Sequence, residues 1–264
     1  VSPNNKWLLY CVDTIGRRSY DVFIKNIESG EILNYKIEGC DSEPVWCNDN
    51  KTIFYLRKNK TTLIGEKLYK HEIGTSLKTD VLIYHEKDLS YENYIYKTRS
   101  NKFIILGHYS TLSTDYQLLN ADNPNGKFRC FSPRLKKHQY VIGHVKDKFY
   151  MITNWNAKNF RLMQTSEGKT NRSFWEEIIP HRKDVLLDYN FSCFDDFLVL
   201  TERIKGLSNI RILNLKNNAS HYVKFDEPVY NVSISDRNLN FNTDYLRFNY
   251  TSLVTPHSQF RYNM

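Results

Sequence analysis

A short apolar run recurs six times along this chain, at intervals of 46 to 50 residues. The copies begin at Trp7, Ile53, Phe103, Phe149, Phe197 and Leu246, and a second, alternating run follows each start after 11 to 15 residues. The second runs are Val22–Ile24, Leu68–Tyr69, Tyr116–Leu118, Phe160–Leu162, Ile210–Ile212 and Phe260–Tyr262. Self-similarity at a fixed period marks a repeat architecture, in which each unit buries its apolar face against its neighbours. Short apolar runs bounded by turn residues are strands. The pattern therefore predicts an all-β fold, a β-propeller with one four-stranded blade per repeat and about six blades in this chain.

Composition agrees: 19 Tyr and 15 Phe enrich the strand formers, while 7 Pro and 10 Gly are spread thinly. The net charge of +8 admits a polyanionic partner. No nucleic-acid-binding module accompanies it, and a Lys- and Asn-rich surface accounts for it better, so no nucleic-acid partner is predicted. On this view Arg134-Leu135-Lys136-Lys137-His138 is a solvated loop run. Five cysteines (Cys11, Cys40, Cys47, Cys130, Cys193), an odd number without C-x-x-C spacing, predict reduced thiols and a cytoplasmic setting. The eight histidines lack ligand spacing, so neither a metal nor another cofactor is expected. No run of 18 apolar residues and no signal-peptide core appear, which predicts no membrane partner.

Turn chemistry punctuates the repeats. Asn4-Asn5-Lys6, Asp49-Asn50-Lys51, Ser100-Asn101-Lys102 and Lys146-Asp147-Lys148 stand directly before apolar runs, where a hairpin needs turn formers. Ile32–Ile37 alternates apolar with polar and is predicted as an outer strand. The segment Asn171–Pro180 departs from the pattern, and a helical turn capped by Asn171 or Ser173 is expected there before an edge strand. Catalytic motifs are missing. There is neither G-x-S-x-G nor G-x-G, and the adjacent acids Asp195-Asp196 and Glu176-Glu177 point to opposite faces of a strand.

Longer strings carry a resemblance. Ser2–Asp13 followed by Gly16–Tyr20, Val45–Thr52, Ser113–Gly126, Thr153–Leu162, Ile179–Arg182, Phe225–Tyr230 and Tyr250–Pro256 together resemble the propeller of the oligopeptidase B branch of the prolyl oligopeptidase family. The resemblance runs through essentially the whole chain in order. It implies a serine peptidase in which a seven-bladed propeller caps an α/β-hydrolase domain holding the Ser-Asp-His triad. That catalytic domain is not in this sequence, and no triad residue can be assigned. The chain starts at a strand edge without Met and stops within a repeat, so it reads as most of a propeller excised from a longer protein. The implied activity is hydrolysis of short peptides after Lys or Arg, with the propeller filtering substrates by size and hinging against the catalytic domain, its implied partner. A post-proline-cleaving sister enzyme is one alternative. A stand-alone scaffold for protein–protein interaction is another.

The resemblance also implies site residues. Asp13–Arg18 matches a family loop facing the catalytic domain, and Arg18 occupies the position of an arginine that takes part in interdomain ion pairing, with Arg17 and Asp13 as neighbours. Read from the residues alone, Arg17 and Arg18 are turn charges. Two weaker candidates for the substrate channel are Trp155, which can equally pack between blades, and Glu86, which can attract a basic peptide or sit in a solvated turn. A surface of +8 should repel cationic peptides at long range, so the preference for Lys and Arg rests on the resemblance.

Overall fold

The computed structural model describes residues 1–264, and its regular elements are antiparallel strands and two single 3-10 turns. Contacts divide the chain into two compact units, Val1–Leu135 and Lys136–Met264. In the first, β1 (Trp7–Val12), β2 (Tyr20–Asn26), β3 (Ile37–Cys40), β4 (Val45–Trp46), β5 (Thr52–Lys58), β6 (Gly65–Glu72) and β7 (Val81–His85) make one sheet. Its order is β1-β2-β3-β5-β6-β7, with β4 on β5. A four-stranded meander follows: β8 (Glu92–Lys97), β9 (Phe103–Tyr109), β10 (Thr114–Asn120) and β11 (Arg129–Cys130).

The second unit holds three meanders. They are β12 (Tyr140–Val145) to β15 (Glu176–Ile179) through β13 (Lys148–Thr153) and β14 (Arg161–Ser166); β16 (Val185–Cys193) to β19 (Ser220–Tyr222) through β17 (Phe197–Ile204) and β18 (Leu207–Asn214); and β20 (Tyr230–Ile234), β21 (Tyr245–Ser252) and β22 (Ser258–Asn263).

The six apolar runs lie in β1, β5, β9, β13, β17 and β21. β21 alternates, with Leu246, Phe248 and Tyr250 buried between Arg247 and Asn249, and β1 is half-buried throughout. Packing explains why the runs of β5, β9, β13 and β17 are continuous instead. On β5, Phe54 and Leu56 enter one cluster, with Leu68, Ile95, Ile104 and Leu106. Their neighbours Ile53 and Tyr55 enter another, with Val22, Ile24 and Trp46. On β17, Leu198 and Leu200 pack with Ile152 and Leu187, whereas Phe197 and Val199 pack with Leu246 and Phe248. Both faces of these strands are covered, so both sets of alternate residues must be apolar.

The predicted turns form. Asn5, Asn50, Asn101 and Lys146 take φ of 59, 62, 59 and 56°, the left-handed region that Asn tolerates best among non-glycine residues. In the first unit, successive turns also hold one another: the Asn4 amide donates to Asn50 (2.7 Å), and Asn48 donates to the Asn101 carbonyl (2.9 Å). The helical turn exists as Arg172–Phe174, with the Asn171 side chain accepting from the Ser173 amide, directly before β15.

Three expectations change. The first two repeats share one sheet, because the Cys40–Arg57 pair joins β3 to β5. Ile32–Ile37 is not a continuous strand: Ile32 makes an isolated bridge to Lys25, and regular pairing resumes at Ile37. Side chains fix the gap instead, Tyr35 through His71 and Lys36 through Asp21. The run at Phe160 begins one residue late, since Phe160 has φ of 63° and closes the turn before β14.

Candidate functional site

In a meander, the hairpin joining the second and third strands lies at the same end of the sheet as the connection leaving the fourth. In the first unit this end carries the β1–β2 hairpin tip with Asp13, Arg17 and Arg18, and the β5–β6 turn. It also carries the segment from β7 to β8 with Glu86, and the segment after β11 with Arg134. The candidates of this unit therefore share one end of their sheets.

The Asp13–Arg18 loop is organised by its own carboxylate. Asp13 Oδ1 accepts from the amides of Ile15 (3.1 Å) and Gly16 (2.8 Å), and Oδ2 accepts from Arg18 (2.6 Å). Desolvation opposes ionisation of this carboxyl, but the backbone N–H groups of Arg18, Ile15, Arg17 and Gly16 outweigh it and hold the pKa below the usual carboxylate value. Gly16 (φ 72°) and Arg18 (φ 56°) supply the left-handed turns that aim these amides inward. Asp13 thus serves the loop through its backbone and leaves the guanidinium groups of Arg17 and Arg18 exposed. Lys58 ties the loop to the neighbouring hairpin, donating to the Arg18 carbonyl (2.7 Å) while lying 3.3 Å from Asp41.

Glu86 is neither solvated nor free. It is 7% exposed and receives Arg134 Nη2 (2.8 Å), the Tyr84 hydroxyl (2.8 Å) and the Asp88 amide (3.0 Å). Burial alone raises a carboxyl pKa, and these donors overcome it, bringing Glu86 down to about 2. Arg134 also grips Asp115 through Nε (2.8 Å) and lies 3.7 Å from the centre of the Tyr91 ring. For Asp115 desolvation prevails, so the same arginine leaves its pKa raised. His108, buried beside this network and bonded to Asn93, is pushed down to about 4 by desolvation and by the charge of Arg134. The run Arg134–His138 is accordingly not a solvated loop at either end, since His138 is also buried, stacked on Tyr140.

Trp155 belongs to the second unit, in the β13–β14 connection. It is half-buried, edge-on to Trp175 (6.0 Å), with Arg161 over its ring at 5.4 Å. In the same unit Glu202 is fully buried between Arg182 and Arg211. No group of His, Cys, Asp and Glu is placed to hold a metal ion.

Comparison with known proteins decides the family. The model of the prolyl oligopeptidase N-terminal β-propeller domain matches residues 1–264. The chain belongs to this family. Among curated relatives, a dipeptidyl aminopeptidase BI from Pseudoxanthomonas mexicana is 34% identical over 100% of this chain and 36% of its own length. A protease 2 from Moraxella lacunata is 25% identical over 100% of this chain and 38% of its own length. The propeller chain thus spans little more than a third of these relatives. Oligopeptidase B from Leishmania major has the same fold, with a TM-score of 0.92 at 23% identity over 99% of this chain and 38% of that one.

Arg134 and Arg57 stand in no recognisable motif. For Arg134 the signal was available: it follows its partner Glu86 by 48 residues, one repeat period, so the two hold equivalent places in successive repeats.

Proposed function

We propose that this chain is the access-controlling part of a serine oligopeptidase. It covers the active site of an α/β-hydrolase domain carried elsewhere in the longer protein, admits short peptides, excludes folded proteins, and serves cleavage after Lys or Arg. The observation that carries this reading is the family match over all 264 residues in a chain that spans 36% to 38% of its curated relatives. Five free thiols suit a reducing, cytoplasmic compartment.

Arg18 is the interdomain contact in this reading. Because Asp13 is saturated by backbone amides, the guanidinium of Arg18 is free to grip a carboxylate of the catalytic domain with two parallel hydrogen bonds. Closure then excludes water and assembles the catalytic groups. The test is Arg18→Ala in the full-length protein, with kcat/KM on a short peptide and compaction by small-angle scattering. One charged hydrogen-bonded contact corresponds to roughly a tenfold loss, accompanied by a more open mean shape. Unchanged activity and unchanged compaction sink the assignment. A second reading, removal of dipeptides from peptide N-termini, is favoured by the name of the 34% identical relative.

A further inference from the structure

Between the β1–β2 hairpin tip and the β5–β6 turn lies a cleft of about 480 Å³. Arg17, Arg57, Lys58 and Lys60 line it, with Ile15 and Leu63 as its apolar walls and Glu38 as its one acid. The charges inside are unequally matched. Glu38 is paired to Lys36 (3.1 Å), and Lys58 is paired to Asp41. Arg17, Arg57 and Lys60 have no carboxylate partner.

Arg57 is the fixed element. Its guanidinium lies 4.9 Å from the Tyr69 ring centre and 5.7 Å from that of Tyr55, and Nη2 donates to the Tyr55 hydroxyl (3.3 Å). That hydroxyl gives its own proton to Asp80 (2.7 Å), so the acid reaches Arg57 only through a neutral group. The Arg57 Nε–H is buried and finds no acceptor at all. A guanidinium stacked on two rings and short of acceptors, flanked by the exposed cations Arg17 and Lys60, is an arrangement that favours a planar anion.

We propose that this cleft binds a carboxylate of the peptide substrate, an acidic side chain or the peptide's C-terminus, at a distance from the bond that is cut. Arg57 supplies the preorganised donors, Arg17 and Lys60 supply charge, and the apolar walls take the stem of the side chain. This deepens the oligopeptidase reading by adding a second specificity element, remote from any preference at the cleavage point. It also gives the surplus of positive charge a use: the anionic end of a peptide is drawn to the propeller, which leaves the rest of the peptide to the catalytic domain.

The probe is N-acetyl-tetraglutamate amide, which offers carboxylates without a basic cleavage site. Its affinity for the full-length protein is measured by calorimetry, beside the neutral tetraglutamine amide and the tetraglutamine acid, whose C-terminus is its one carboxylate, so that side-chain and terminal carboxylates are told apart. The wild-type protein is expected to bind the acidic probe and not the neutral one. An Arg17→Ala/Lys60→Ala variant should weaken binding about tenfold, and Arg57→Gln about as much, from the strength of hydrogen bonds to charged groups. A control that removes two exposed lysines elsewhere, Lys136→Ala/Lys183→Ala, should leave binding within about twofold, as expected of distant surface charges. Equal weakening by the control assigns the binding to overall charge and overturns the proposal. So does failure of the wild type to bind, the result expected if a carboxylate of the protein's own catalytic domain already fills the cleft. Binding is read without turnover, so a protein that binds the probe but cleaves nothing refutes the peptidase reading and not the cleft.

Discussion

Replacing Arg134 by Met should destabilise the chain far more than loss of a surface charge. Glu86 and Asp115 are each 7% exposed and share this one guanidinium, at 2.8 Å from both. At an effective dielectric of about 20, two unit charges about 4 Å apart attract by about 4 kcal/mol. Desolvation and the partial exposure of Arg134 offset much of that for the intact pair. They do not do so when the cation alone is removed, because two buried carboxylates are left facing each other. Breaking a buried pair in this way costs about 3–5 kcal/mol. The stacking of Arg134 on Tyr91 adds about 1 kcal/mol. Urea unfolding of the wild-type and Arg134→Met chains at pH 7 should therefore differ by about 4 kcal/mol. The difference should shrink by pH 5, where the stranded acids take up protons. Adding Glu86→Gln to Arg134→Met should restore part of the loss, giving a clear interaction energy in the double-mutant cycle. A difference under about 1 kcal/mol, the range of an exposed ion pair, refutes the reasoning.

Three other outcomes are expected. His108 and His138 both titrate near 4 in the folded chain, His108 through desolvation and Arg134, His138 through desolvation and Arg172. A lowered histidine pKa means that the unfolded chain takes up the proton first. Stability is then complete above about pH 6.5 and falls as the pH drops towards 4; a flat urea midpoint between pH 7 and 5 contradicts this. Gly143→Ala puts a methyl group onto Cys193 and Phe191 of β16, in the interior of β12, and should cost about 1–3 kcal/mol in the same assay; a neutral effect refutes the close packing. The outer edge of β22 pairs with no strand and exposes Phe260, so the 264-residue chain should self-associate as its concentration rises; a clean monomer in sedimentation contradicts that.

How much was legible in the sequence depended on what fixed each element. Strands such as β5 and β17 were plain because both faces are buried, and Ile53-Phe54-Tyr55-Leu56 has no polar position to obscure the run. Turns were plain where Asn supplies a left-handed residue. Phe160 misled because an aromatic before Arg161-Leu162 reads as strand, whereas its ring packs edge-on against Tyr189 and its backbone closes a turn. Ile32–Ile37 misled because its alternation is real, but Tyr35 and Lys36 use their polar atoms on distant partners. For the sites, resemblance led to Asp13–Arg18, and the structure adds the backbone cage that no motif spells out. Glu86 looked like a turn acid because its partner lies a full repeat away. Within Arg57–Lys60, Lys58 is paired to Asp41 while Arg57 and Lys60 have no carboxylate partner, a division that adjacency in sequence does not reveal.

The most direct test of the account is mass-spectrometric product analysis of short peptides, containing Arg, Lys or Pro internally, after incubation with the full-length protein and separately with the 264-residue chain. Single cuts after Arg and Lys by the full-length protein are expected, with the same sites spared inside a folded protein, and no cleavage by the shorter chain. Stepwise loss of N-terminal dipeptides or cuts after Pro would contradict the proposed specificity. A folded full-length protein that cleaves none of them would contradict the peptidase reading itself.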